Sequence, residues 1–321
     1  MFAFVTRRLV TTIPLLLVAT FLIYVLVSIT GNPLARLATC TTCDPAAFQR
    51  IIELYELDRP IPVRYVGWVT GAVTGDLGTS TSLGAGTGDV LPILIDRAVN
   101  TAKLAVPAFL IIATLAISLG VYSAVRQYSL SDYTITGLSF LGISMPVFFF
   151  ALLLQVVFGV WLRDWVDVKP FYVAGMRSGS FTEYLRSATL PVMTLVFVLT
   201  ASESRFQRAS MLEVIHSDYI RTAKAKGLSR RRVVFKHALR NALIPLVTIW
   251  ALDFASLLGG SVVTETVFSW PGLGPALLRG ISEHDLDLTM AIVLFVATLT
   301  IVFNLVADVL YGFLDPRIRY D

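Results

Sequence analysis

Charge is scarce in this sequence. Of its 321 residues only 15% are Asp, Glu, Lys or Arg, and 55% are hydrophobic, whereas soluble domains carry about 25% charged residues. With a mean hydropathy of +0.74, the chain is not expected to hide its apolar surface from water unaided; lipid is the expected solvent for much of it. Cysteine is nearly absent. Cys40 and Cys43 are too few for a disulfide scaffold, and their C-x-x-C spacing lacks the βαβ surroundings of a thioredoxin-like centre. A small local bridge between them, or no role, is expected. His216, His237 and His284 make no H-E-x-x-H pair of metal ligands. There is no G-x-x-x-x-G-K-[ST] loop for ATP and no G-x-S-x-G elbow for a nucleophilic serine. No catalytic, cofactor-binding or metal-binding residues are therefore expected in this chain, and any work it does must draw on a partner or an ion gradient.

Long apolar runs are plentiful. A helix that crosses a bilayer needs about 20 such residues. Candidates are Leu9 to Ile29, Ala102 to Val125, Thr134 to Trp161 with Pro146 inside, Ala188 to Ala201, Leu243 to Phe268 with Pro245 near its start, and Leu288 to Phe313. The fourth is short and needs its polar continuation, Ser202-Glu203-Ser204, to cross. The first follows Arg7 and Arg8, as a signal peptide would, but it exceeds the about 7–15 apolar residues of a signal, so it is expected to stay as a span. The expected fold class is all-α: a polytopic membrane protein with six transmembrane helices and a small extracytoplasmic region after the first. The domains read as 1–30, the N-terminal segment and first span; 31–100, the extracytoplasmic region; and 101–321, five spans with a basic loop at 205–241. Within 31–100, Asp44 is read as the cap of a helix from Phe48 to Leu57. Asp58-Arg59-Pro60-Ile61-Pro62 is read as a break and Gly75 to Asp89 as a loop.

Orientation follows from the basic residues between spans. From Arg205 to Arg240 there are ten, against the acids Glu213 and Asp218, whereas Ser269 to Asp287 holds Arg279 alone. The basic loop is thus expected in the cytoplasm, with both termini on the same side.

That loop has internal structure. Ser217 or Asp218 can cap a helix over Tyr219 to Lys226, Gly227 suits its end, and Ser229 can cap a second helix through Arg240. Ala223 and Gly227 share a face on which small residues would let another backbone approach. The cations could serve topology and anionic lipid heads alone, or dock a soluble partner; the compact cap, helix and turn favours docking. Nucleic acid is not expected, because no aromatic stacking set accompanies the charge.

Ionisable groups inside spans point to function. Asp253 lies about two turns into the fifth span, where a carboxylate costs about 2.5–3.5 kcal/mol. Ser256, Gly260 and Thr264 form a weakly polar stripe above it, and Glu265 approaches the outer interface. Close packing through small residues and the lining of a pathway are both open for this stripe. Glu203 and Asp308 are expected to pair with Arg205 or to reach the headgroups.

The stretch DYIRTAKAKGLSRRRVVFKHALRNALIP, residues 218–245, closely resembles the cytoplasmic loop of ABC-importer permeases of the dipeptide, oligopeptide and nickel branch. GDLGTS (Gly75 to Ser80), VVTETVFSWPGLG (Val262 to Gly274) and YGFLDPRIR (Tyr311 to Arg319) extend the resemblance along the whole chain. Two departures are present. The Glu-Ala-Ala opening of the general loop pattern is replaced by Thr222-Ala223-Lys224, and Glu283-His284-Asp285-Leu286-Asp287 stands where an Arg-Asp-Tyr-Pro type of sequence is usual. The resemblance implies a type I importer permease fold in the bacterial inner membrane. It implies a heterodimer with a second homologous permease, two ATPase subunits that use ATP and Mg, an extracytoplasmic substrate-binding protein, membrane lipid, and di- or oligopeptide cargo. Nickel or glutathione is the alternative cargo; an ion-driven secondary transporter, which would show internal repeats, is the alternative class. Coupling to the ATPases is implied for Tyr219, Ile220, Arg221, Ala223, Lys224, Ala225, Gly227 and Leu228. The translocation path is expected at Asp253, Ser256, Gly260, Thr264 and Glu265.

Overall fold

In a computed structural model of the chain, residues 2–30, 49, 52–53, 55–82, 88–167 and 170–314 are described. Cys40, Cys43 and Asp44 lie outside them, as does most of the helix expected from Phe48 to Leu57. The elements are helices α1 (Phe2–Thr30), α2 (Ile61–Thr74), α3 (Val90–Val125), α4 (Leu130–Ser144), α5 (Val147–Val156), α6 (Leu162–Val166), α7 (Phe181–Ile215), α8 (Asp218–Ala225), α9 (Arg230–Arg232), α10 (Leu239–Ala242), α11 (Ile244–Leu258), α12 (Val262–Val267), α13 (Leu273–Ser282) and α14 (Leu286–Leu314). A two-residue antiparallel pair, β1 (Thr79–Ser80) and β2 (Gly88–Asp89), precedes α3. Wide π turns join α5 to α6 (Val157–Trp161) and α9 to α10 (Val233–Ala238).

Among the described residues, five helices are long and apolar enough to cross a membrane, or six if the bent pair α4–α5 is one span. That pair is the third expected span, and it turns by 103°. Met145, the residue before Pro146, is extended at φ −89°, ψ 122°, because the proline ring disfavours helical backbone in its predecessor. The fourth span is not short. Ser180 accepts the Glu183 N–H at 3.2 Å, a capped start that carries α7 for 35 residues. The second span starts earlier than expected, at Val90, so the boundary drawn at 100/101 falls inside α3. Pro60 and Pro62 do not break structure. They open α2, where a missing N–H costs nothing. The fifth span is interrupted after Leu258, and Gly260 adopts φ +105° before α12 begins.

The core is the long contact of α3 with α7. Leu104, Ala105, Ala108 and Ile112 meet Ala188, Val192 and Leu195, with Leu257 and Trp270 closing the cluster. Small residues permit this closeness: a Cβ on Gly120 would stand 2.7 Å from that of Gln207. Helix α14 packs beside α11, and α1 lies on α14 with most of its apolar side chains exposed, as a lipid-facing helix should be. Tyr65 of α2 donates to the Leu17 carbonyl at 2.8 Å and bonds Thr20, tying the region after the first span to α1.

Candidate functional site

Helix α8 is built as an elbow on an apolar foot. Ser217 occupies the cap position, but its hydroxyl donates backward to the Val214 carbonyl at 2.6 Å instead of accepting from the helix, so the capping role expected of it is not performed. Gly227 follows the helix at φ +75°, a left-handed turn that favours glycine. Ile220 is fully buried and Ala223 nearly so. Both pack against Val121, Ala124, Met211, Val233, Ala238 and Ala242. The face shared by Ala223 and Gly227 is therefore half spent inside the protein. The outer face consists of Tyr219, Arg221, Lys224, Ala225 and Gly227, all exposed, with Leu228 partly covered. Tyr219 accepts a bond from Asn241 Nδ2 at 2.8 Å, which links the elbow to α10 at the base of α11. Of the eight residues expected to couple, two are anchors, one is partly covered and five face outward.

Two ties hold α7, the helix leading into the elbow. Arg208 gives Asp132 a bidentate pair, Nε to Oδ1 and Nη2 to Oδ2, both at 2.9 Å. Asp132 also accepts from Ser123 and from the Tyr128 N–H. A buried carboxylate so enclosed fixes the start of α4 against α3 and α7. The signal was the pairing of an Asp at the head of one apolar run with an Arg at the foot of another, which a linear reading does not connect.

Higher up, Asp253, Ser256, Gly260 and Thr264 line one cavity of about 260 Å³, with Leu195 and Val147 opposite. Glu203 is buried and does not pair with Arg205. Its Oε2 accepts the Trp250 indole N–H at 2.6 Å, and its carboxyl neighbours that of Asp253. Arg205 lies over the Phe140 ring at 4.1 Å. Asp308 pairs with Arg8 at 3.0 Å. Glu265 faces away from the cavity: fully buried, it accepts from the Thr101 hydroxyl at 2.9 Å and the Gly274 N–H at 2.8 Å. It holds the Trp270-Pro271-Gly272-Leu273-Gly274 loop against α3. A Cβ on Gly272 would come within 2.5 Å of Glu265 and Thr101, so glycine is required there. The indole of Trp270 donates to the Asn100 carbonyl at 2.8 Å, completing the clamp.

The two departing acids have a place as well. Asp285 is wholly buried and receives the Thr81 and Ser82 N–H groups, both at 2.9 Å. Its Oδ1 also takes the Leu288 N–H at 3.0 Å, capping α14. Asp287 takes the Thr79 N–H at 3.1 Å. Nearby, the Tyr55 phenol bonds Thr81 at 3.1 Å; burial, reinforced by the Asp285 charge, pushes its pKa up.

The pattern described as "Binding-protein-dependent transport system inner membrane component" matches residues 116–320, and an N-terminal component of the same kind of system matches residues 1–102. The oligopeptide transport system permease protein AppB of Bacillus subtilis is 38% identical over 100% of both chains. The di/tripeptide transport system permease protein DppB of Pseudomonas aeruginosa is 37% identical over 100% of this chain and 99% of its own. The dipeptide transport system permease protein DppB of Escherichia coli is 34% identical over the same shares. Among solved structures, the inward-facing MetNI methionine ABC transporter superposes with a TM-score of 0.53 at 16% identity, covering 69% of this chain and 96% of that one; the likeness is one of fold.

Proposed function

The chain belongs to the family of binding-protein-dependent transport system inner membrane components, and we propose that it is one of two permease subunits of an ATP-driven importer of di- or oligopeptides. The peptide cargo is supported by full-length relatives named as oligopeptide and dipeptide permeases. In this reading α8 lies in the cytoplasm, with both chain termini on the same side, and seats in an ATPase subunit. ATP and Mg belong to that partner, and hydrolysis is not performed by this chain. A binding protein delivers cargo to the outer side, and a second permease completes the path.

The observation that carries the proposal is the build of the elbow. Ile220 and Ala223 lock α8 to α3, α7 and the π turn, while Tyr219, Arg221 and Lys224 stay exposed. A push on that face reaches α7 and α11 through packed side chains and the Asn241–Tyr219 bond, without a flexible joint. These helices wall the cavity with Asp253, Ser256, Gly260 and Thr264, the proposed translocation path. Glu265 is assigned to the clamp beside it and not to the path.

The test is co-purification followed by reconstitution. Tagged chain should bring down ATPase subunits, and the complex in vesicles should import labelled peptide only with ATP and the binding protein. Recovery of the chain without any nucleotide-hydrolysing subunit overturns the proposal.

A further inference from the structure

At the membrane end of α3 a groove of about 600 Å³ runs between α3 and the segment that follows the elbow. Its floor is apolar: Ile117, Val121 and Val125 on one side, Val234 and Phe235 on the other. Its mouth is cationic. Arg126 lies over the Tyr122 ring at 5.2 Å and donates to that hydroxyl at 3.2 Å. Arg230 donates to the Val125 carbonyl at 3.2 Å, covering the end of α3. Arg231 is exposed beside it.

We infer that this groove binds one anionic phospholipid, its acyl chain on the apolar floor and its phosphate between Arg126 and Arg231. Three observations favour that occupant. The floor residues Ile117 to Val125 belong to a helix that spans the membrane, so the groove opens to hydrocarbon. At 1.5 Å per residue they cover about 12 Å, near the depth of one leaflet of a core about 30 Å thick. The arginines gather where the span ends, at headgroup level, and basic pockets at that level select anionic heads. Tyr122 and Phe235, 41% and 58% exposed, are the amphipathic rings that favour this interface. The π turn Val233–Ala238 supplies one wall of the groove. The same turn packs on α8, so the lipid would touch the element that carries the elbow.

The measurement is lipid retention by the purified complex after exchange into detergent with phosphatidylglycerol and phosphatidylcholine in equal amounts, read by mass spectrometry. Wild-type complex should retain phosphatidylglycerol in excess. The Arg126→Gln/Arg231→Gln double variant should lose that excess at least about fivefold, a change of about 1 kcal/mol in preference. Ser118→Trp, which fills the groove without altering charge, should lose it too. Equal retention by wild type and double variant overturns the inference. Loss in the arginine variant but not in Ser118→Trp also overturns it, because it shows diffuse attraction without a seated chain. Loss of ATPase subunits with lipid retention unchanged shows a protein-facing surface, and likewise overturns it. The readout is independent of transport, so its failure leaves the permease reading standing.

Discussion

The Ser80 hydroxyl donates to Asp285 Oδ2 at 2.6 Å, although 205 residues separate them in the chain. The pair closes the GDLGTS loop onto the start of α14, and the adjoining Thr81 and Ser82 N–H groups share the same oxygen. Substituting Asp285 with Ala leaves these donors and the α14 cap without an acceptor. At about 1–3 kcal/mol for each buried donor left unpaired, a loss of more than about 3 kcal/mol is expected. Thermal unfolding of the purified complex checks it; a melting point unchanged from wild type refutes the role assigned to Asp285.

Gly78 should tolerate no side chain. It has φ +83°, and a Cβ there would stand 2.2 Å from Asp287 Oδ2. Gly78→Ala is expected to destabilise by more than the about 1–2 kcal/mol of a left-handed alanine, because Asp287 must also move. The same melting experiment reads it, and a smaller effect would mean that the loop is looser than described.

The two faces of α8 should separate in mutagenesis. Arg221→Glu with Lys224→Glu is expected to lower ATPase recovery about tenfold while leaving the melting point near wild type, since exposed substitutions cost about 0.5 kcal/mol or less. Ile220→Ala should instead cost about 2–5 kcal/mol of stability by opening a cavity under the helix. If charge reversal leaves ATPase binding intact, the outward face is not the contact.

Asp253 and Glu265 should differ in kind. Asp253→Asn keeps shape and removes charge at the cavity wall, so a fall of about tenfold in peptide import, or ~1.4 kcal/mol, is expected with ATPase binding retained. Glu265→Ala should show its effect in stability, because Thr101 and the Gly274 N–H lose their acceptor. Its cost should be about 1–3 kcal/mol per donor. Normal import by Asp253→Asn would remove that residue from the path.

Much of the architecture was legible because hydrocarbon imposes a minimum length on apolar runs, and the sequence meets it repeatedly. The elbow was legible to within a residue, since Ser217 and Gly227 punctuate it. What escaped was mostly tertiary. The Asp132–Arg208 pair, the Glu203–Trp250 bond and the Glu265 clamp each join residues from different spans, and one-dimensional spacing holds no record of them. The length of α7 was a local miss. Its lower half is polar, with Glu203 and Gln207 buried, and hydropathy alone ended the span at Ala201. The capping pair Ser180 and Glu183 was the available signal. The Ser256–Gly260–Thr264 stripe was read as one helix face, whereas the backbone breaks at Gly259–Ser261 and the residues reach a common cavity by way of that break.

The π turn at Val233–Ala238 winds one more residue into its loop than a regular helix would. Excising a single residue there would let the segment relax to ordinary pitch and rotate everything after it by about 100°. Asp253 would then swing off its present wall, with Trp250 and Glu203 pulled out of register. The turn thus acts as a phase-setter between elbow and cavity, and a one-residue deletion should damage import more than most substitutions in either.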